Sequence, residues 1–259
     1  MISVLSPAKN LDESPLAVPP QATRPEFLRE SEALALKLQG MGAARIGKLM
    51  GISPKLAALN HRRYHNWESA ALKPAIRLFD GEAYRGLDAA ALDTADLRFA
   101  QRHLRVLSGM YGVLRPLDLI APHRLEMGTR LAMGRGIKDL YAFWGDRITE
   151  ALNAALAVSG DRTLVNLAST EYFRSIRTAK LEASVVTPMF KEESTGGPRM
   201  VAVFAKHQRG AMARWIIRNR ILDPALLKRY DGDGYRYSAE GSAGGEWLFI
   251  RRAVCIPVR

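Results

Sequence analysis

The residues best suited to chemistry in this 259-residue chain lie between Leu107 and Gly128, in LSGMYGVLRPLDLIAPHRLEMG. Tyr111, Arg115, Asp118, His123, Arg124 and Glu126 stand there among apolar residues, three glycines and two prolines. Connecting loops are ordinarily polar and undemanding, whereas this one mixes backbone-shaping residues with charged ones. Gly109 and Gly112 can admit a second backbone or a ligand at close range. Pro116 pushes Arg115 toward extended backbone values. Two readings stand: a packed turn held by ion pairs, or the charged, hydrogen-bonded wall of a site. Ser6-Pro7-Ala8-Lys9 adds a Ser-x-x-Lys spacing, in which lysine can assist a nucleophilic serine. The companion SDN and KTG motifs are missing, so Lys9 is better placed as a cation just past a strand's end, lining a cleft.

Two further stretches are basic. Ala43 to Trp67 reads as two short helices meeting at Leu49-Met50-Gly51-Ile52. Gly51 permits the tight turn, Ser53 can cap the second helix, and Pro54 fits its first position. The free N–H groups and positive dipole end there, beside Lys55, make an anion site. The arrangement resembles a helix-hairpin-helix, with Ser53 in place of the commoner second hairpin glycine. Arg62, Arg63 and Tyr64 extend the basic surface. His61 and His65 share a helical face, but no carboxylate stands between them and no metal is expected. Lys206 to Arg220 holds Lys206, Arg209, Arg214, Arg218 and Arg220 without one acidic residue. Arg214 and Arg218 share a helical face, and such a cluster calls for water or phosphate.

The elements that must position these residues follow from periodicity. Met1–Ser6 reads as a buried strand, and the segment 11–25, with Pro15, Pro19, Pro20 and Pro25, as an extended surface loop. Helices are expected over Glu26–Leu38, Lys73–Phe79, Asp93–Val106 (with a cap-like start) and Asp139–Ala157. Arg162–Ala168 reads as a buried strand turning at Ser169-Thr170-Glu171-Tyr172, where open α/β sheets place their ligands. Val185–Phe190, closed by Lys191, and Arg199–Ala205, closed by Lys206, are further strand candidates. The tail suggests a hairpin of Gly234–Ser238 against Trp247–Arg252, and Asp231-Gly232-Asp233-Gly234 a simple turn rather than a calcium loop.

Composition bounds the rest. A chain of this length, 47% hydrophobic and 25% charged, can bury one sizeable core. A formal net charge of +12 favours polyanions, nucleic acid first and anionic membrane second. No apolar run is long enough for a bilayer and no secretion signal is seen, so a cytoplasmic location and no membrane partner are expected. The lone Cys255 excludes an internal disulfide, a Cys-based metal cluster and a two-cysteine peroxidase. It reads as an inert packing residue, and no cofactor is expected.

The central stretch, Ser6-Pro7-Ala8-Lys9, Asn166-Leu167-Ala168-Ser169 with Glu171-Tyr172, and Lys206 with Arg209-Gly210 together resemble the YaaA family of bacterial peroxide stress proteins, nearly end to end. The resemblance implies one α/β domain of unusual fold spanning 1–259, a mixed sheet flanked by helices with a helix-hairpin-helix element at about 43–67 beside a basic cleft. It also implies DNA binding and a role in limiting iron-driven oxidative damage. Walls formed by Lys9, Arg115, Arg124, Glu126, Ser169, Lys191, Lys206 and Arg209 are expected on that basis, with little sequence specificity. The alternative is an enzyme acting on a nucleotide or nucleobase in the same cleft, with Lys9, Glu126 and Tyr111 as catalytic candidates.

Overall fold

The computed structural model describes residues 1–134, 136–160 and 162–252; Cys255 lies outside them. The chain begins with β1 (Ile2–Leu5), β2 (Asn10–Leu11) and α1 (Leu28–Gln39). Two helices, α2 (Ala43–Met50) and α3 (Pro54–His65), follow. Short elements come next: β3 (Lys73–Pro74), α4 (Ala75–Leu78), β4 (Phe79–Asp80) and α5 (Glu82–Leu87). Then come α6 (Thr94–His103), β5 (Leu104–Ser108), β6 (Gly112–Leu114) and β7 (Leu119–Ile120). The second half runs α7 (Leu140–Trp144), α8 (Arg147–Ser159), β8 (Thr163–Leu167), α9 (Thr170–Phe173) and β9 (Ser184–Glu193). It ends with α10 (Ala202–Arg218), β10 (Arg236–Ala243) and β11 (Glu246–Arg252).

The main sheet is mixed and seven-stranded, in the order β10-β11-β9-β8-β1-β5-β6. β5, β1, β8, β9 and β11 are parallel, while β6 and β10 close the two edges antiparallel. Every residue of β1 and β8 is buried, as befits parallel strands covered on both faces. From β1 the chain reaches β5 on one side, then returns to place β8 on the other and continues outward through β9. The order thus reverses between β1 and β8, and such a reversal opens a crevice at the carboxyl ends of the strands. One contiguous hydrophobic core joins residues from Met1 to Phe249, so the described chain is a single α/β domain.

Five expectations change. The Arg199–Ala205 strand is instead one bridge, Arg199 to Glu192, followed by α10. Ala205, Gln208 and Met212 are buried at helical spacing, and packing on α5 outweighs the strand preference of Val201 and Val203. The Asp93–Val106 helix keeps its cap, Asp93 and Asp96 forming a capping box, but stops at His103. Leu104 and Val106 leave it to pair with Ser3 and Leu5. Lys73–Phe79 is a single helical turn between two short strands, because Pro74 cannot donate within a helix. The long Asp139–Ala157 helix is broken at Gly145, whose φ of 54° ends α7. Lys191 lies within β9 rather than closing it.

Candidate functional site

Two strand ends build the site. Ser6 follows β1 and Ser169 follows β8, and their hydroxyls meet at 3.3 Å. The Ser169 N–H donates to Ser6 Oγ at 2.8 Å, locking the two exits together across the crevice. Beyond Ser6, Lys9 reaches Glu126, with Nζ 2.8 Å from Oε2. The other carboxylate oxygen of Glu126 accepts from Arg124 Nη2 at 2.9 Å. Lys9 is largely solvent-exposed at 65%, while Arg124 and Glu126 are 15% and 24% exposed. The pair therefore sits at the mouth of a cavity of about 410 Å³.

The central stretch places Glu126 by backbone crossing. Gly109 passes so close to Leu125 that a Cβ there would stand 2.3 Å from its carbonyl oxygen. Tyr64 of α3 donates to the Arg124 carbonyl at 2.6 Å, and the Gly128 N–H donates to Glu171 at 2.8 Å. Gly112 has a φ of +69° against the Trp144 ring. His123 lines the same cavity, and its Nδ1 lies 2.8 Å from the Ala121 carbonyl. Burial holds its pKa down at about 4, so it is a neutral ring at ordinary pH.

The opposite wall comes from α10, which brings Lys206 and Arg209. A Cβ on Gly210 would stand 1.6 Å from the Ala83 carbonyl oxygen, and one on Gly86 would stand 2.1 Å from that of His207. Only glycine at both positions lets α5 and α10 touch backbone to backbone. Neither Lys206 nor Arg209 has an ion-pair partner among the described residues. Burial pushes the Arg209 guanidinium pKa down. The hydroxyl of Tyr172 is raised, first by burial and then by Glu171 and Glu126.

The cavity walls carry Lys9, Arg124, Lys206 and Arg209 against Asp80, Glu82, Glu126 and Glu171. Of these acids, Glu82 and Asp80 also face Arg85 at 2.6 and 4.0 Å. The cavity is thus mixed in charge, suited to a ligand bearing both donors and an anion. Among the described residues no three His, Cys, Asp or Glu side chains gather as a metal site.

Lys9, Arg124, Glu126, Ser169, Lys206 and Arg209 therefore converge, and the other candidates do not join them. Tyr111 is buried one ring away, 5.2 Å from His123, where its hydroxyl accepts from the Ala121 N–H at 3.0 Å. Arg115 turns to Asp118 and the Arg24 carbonyl, and Lys191 is not on the cavity wall. Arg214 pairs with Asp88 at 3.0 Å and Arg218 donates to the Ala91 carbonyl at 2.8 Å. That α10 cluster, acid-free in sequence, thus finds its partners in the loop after α5. Sequence reasoning passed over Phe79, Tyr84 and Glu82 as site residues, all close to Gly81. The available signal was the glycine itself, where a Cβ would lie 3.1 Å from Ala8.

A second region lies on α2 and α3. Gly51 takes φ +62°, Ser53 Oγ accepts from the Leu56 N–H at 3.4 Å, and Pro54 opens α3. The N–H groups of Ser53 and Lys55 carry no hydrogen bond among the described residues. Residues 43–67 hold Arg45, Lys48, Lys55, Arg62 and Arg63 and no Asp or Glu. Only Arg63 has an ion-pair partner among the described residues, Glu13 at 2.5 Å. Arg45, Lys48, Lys55 and Arg62 are exposed. Arg45 and Lys48 were missed, although the acid-free run was readable.

Comparison with known proteins gives the family. Residues 1–241 match a family described as "Peroxide stress protein YaaA". A UPF0246 protein of Ralstonia nicotianae is 50% identical over 260 residues, covering 98% of this chain and 100% of its own. Another, from Teredinibacter turnerae, is 46% identical over 256 residues, covering 97% and 100%. A third, from Laribacter hongkongensis, is 50% identical over 257 residues, covering 97% and 99%. The chain belongs to the YaaA family of peroxide stress proteins, whose curated members here carry the UPF0246 name.

Proposed function

We propose that this peroxide stress protein binds DNA in the cytoplasm, chiefly through strand phosphates, with α2 and α3 acting as a helix-hairpin-helix. The observation that carries the reading is the run of five cations without one acid over residues 43–67. Four of them are exposed, next to the free N–H groups of Ser53 and Lys55. Phosphate oxygens satisfy both kinds of group at once. Tyr64 ties α3 to the loop bearing Arg124, so α3 is linked directly to a wall of the cavity. Each phosphate neutralised by a protein cation releases condensed counterions. Ferrous iron held beside the strand would be among them, which links binding to less iron-driven damage.

Titration of a labelled duplex at several salt concentrations tests the reading, with affinity expected to fall steeply as salt rises. Gly51→Val forces a β-branched residue into positive φ and should weaken binding in a protein that stays folded by circular dichroism. Salt-insensitive binding, or an unchanged affinity in folded Gly51→Val, overturns it.

A second reading, catalysis on a nucleotide or nucleobase, is favoured by Glu126 standing between Lys9 and Arg124 at the cavity mouth. It requires folded Glu126→Gln protein to bind DNA normally yet fail to restore peroxide tolerance to cells lacking the native protein. Full complementation removes it.

A further inference from the structure

We propose that the cavity between the β1 and β8 strand ends receives one nucleoside phosphate unit. The proposal rests on the nucleic-acid reading only for where the unit comes from: a nucleotide turned out of a DNA strand or a free mononucleotide offers the same chemistry. Size is the first argument. At about 410 Å³ the cavity falls in the range of roughly 300–1,000 Å³ typical of small-molecule sites and is too small for a duplex. Position is the second, because the reversal of strand order between β1 and β8 is where open α/β sheets bind their ligands.

The lining supplies the third. Phe79 and Tyr84 lie 5.4 Å apart and, with Tyr172, give an aromatic wall for a base. Glu126 already accepts from Lys9 and Arg124, and a carboxylate has about four lone-pair sites. The remaining sites suit the N–H edge of a base. Arg209 is desolvated and has no acidic partner among the described residues, and Lys206 stands one helical turn before it. Together they call for an anion, which the phosphate provides. A groove that only tracked phosphates would gain nothing from Glu126 or Glu171. A small zwitterion without a ring would make no use of the aromatic edges that Phe79, Tyr84 and Tyr172 present to the cavity.

Calorimetric titration of the full chain with the four deoxynucleoside 5′-monophosphates is the direct test. A parallel titration compares a matched duplex with one carrying a single unpaired nucleotide. Arg209→Gln and Glu126→Gln alter the cavity, and Arg236→Gln removes a remote exposed cation as control; melting temperatures check folding. Mononucleotide binding weakened about tenfold or more by Arg209→Gln, and unchanged by Arg236→Gln, supports the proposal. Preference for the unpaired duplex, lost in Arg209→Gln, also supports it and names a DNA strand as the source. Mononucleotide binding with equal duplex affinities supports it with the free nucleotide as source. If no mononucleotide binds and neither duplex is preferred, the proposal falls. It falls too if both cavity variants bind like the parent. Absence of any duplex affinity at low salt, with mononucleotide binding intact, instead removes the DNA reading and leaves the cavity assignment standing.

Discussion

Lowering the pH from 7 to 4 should remove a defined amount of stability through His123. Its ring is enclosed by Tyr111, Phe79 and Trp67 at 5.2, 6.0 and 6.5 Å. Desolvation is the largest cause that takes its pKa from 6.5 to about 4, with Arg63 acting the same way and the Ala121 carbonyl opposing. The native protein therefore keeps the ring neutral in a pH window where the unfolded chain protonates it. Stability is fully present above about 6.5 and is lost as pH falls toward 4. A shift of this size corresponds to about 3 kcal/mol in total, of which roughly 2 kcal/mol is lost between pH 7 and pH 5. Denaturant unfolding of the parent and of His123→Phe at intervals of one pH unit measures it. Phenylalanine keeps a ring among the aromatics but cannot titrate, and its lost bond to Ala121 is a constant offset. His103, whose pKa burial also lowers, is present in both proteins and cancels. The stability difference between parent and variant should change by about 2 kcal/mol from pH 7 to pH 5. Parallel curves would refute the assignment of a neutral buried imidazole.

Gly210→Ala should lower the melting temperature, although alanine is the better helix former by about 1 kcal/mol. The new Cβ would meet the Ala83 carbonyl at 1.6 Å and the Leu87 nitrogen at 2.8 Å, so α5 and α10 must separate at a cost of about 1–3 kcal/mol or more. A melting temperature equal to or above the parent's would refute the backbone contact. Glu126→Gln should cost about 1–2 kcal/mol in denaturant unfolding, because the half-buried Arg124 loses its charged partner while its Nε already has none. Lys9→Met, removing only the exposed side of the same pair, should stay within about 0.5 kcal/mol; equal losses in the two variants would contradict this ordering.

The buried strands and the turn between α2 and α3 were readable because local signals decide them. β1 and β8 are short, mostly apolar runs, and Gly51, Ser53 and Pro54 each occupy the one position their backbone chemistry favours. The members of the site next to strand ends, Lys9 and Ser169, were placed by the same logic. What failed depended on distant partners. Nothing local marks His103 as the end of α6; the stop exists because β1 lies alongside to receive Leu104. The Val201–Ala205 run has strand-like residues, and only the contact of α10 with α5 makes it helical. The acid-free run at Lys206–Arg220 suggested unpaired cations, but Asp88, after α5, and Asp96, on α6, meet Arg214 and Arg220. Charge counted along one segment says nothing of charge folded against it.

That lesson separates the two regions of the protein. On α2 and α3 the acid-free run stays largely acid-free in space, since among the described residues only Arg63 gains a carboxylate. At the cavity the cations Lys9 and Arg124 share one carboxylate, and the half-buried Arg209 lines the same space as Glu126 and Glu171. Exposed charges are screened over about 8–10 Å at ordinary ionic strength, while enclosed ones are screened much less. Ligand held on the hairpin should therefore leave with rising salt before ligand held in the cavity does. Under the DNA-binding proposal the net charge of +12 would serve attraction and approach. Discrimination, by contrast, requires fixed donors and acceptors of both signs, and among the regions described the cavity is where Gly109 and Gly210 hold them.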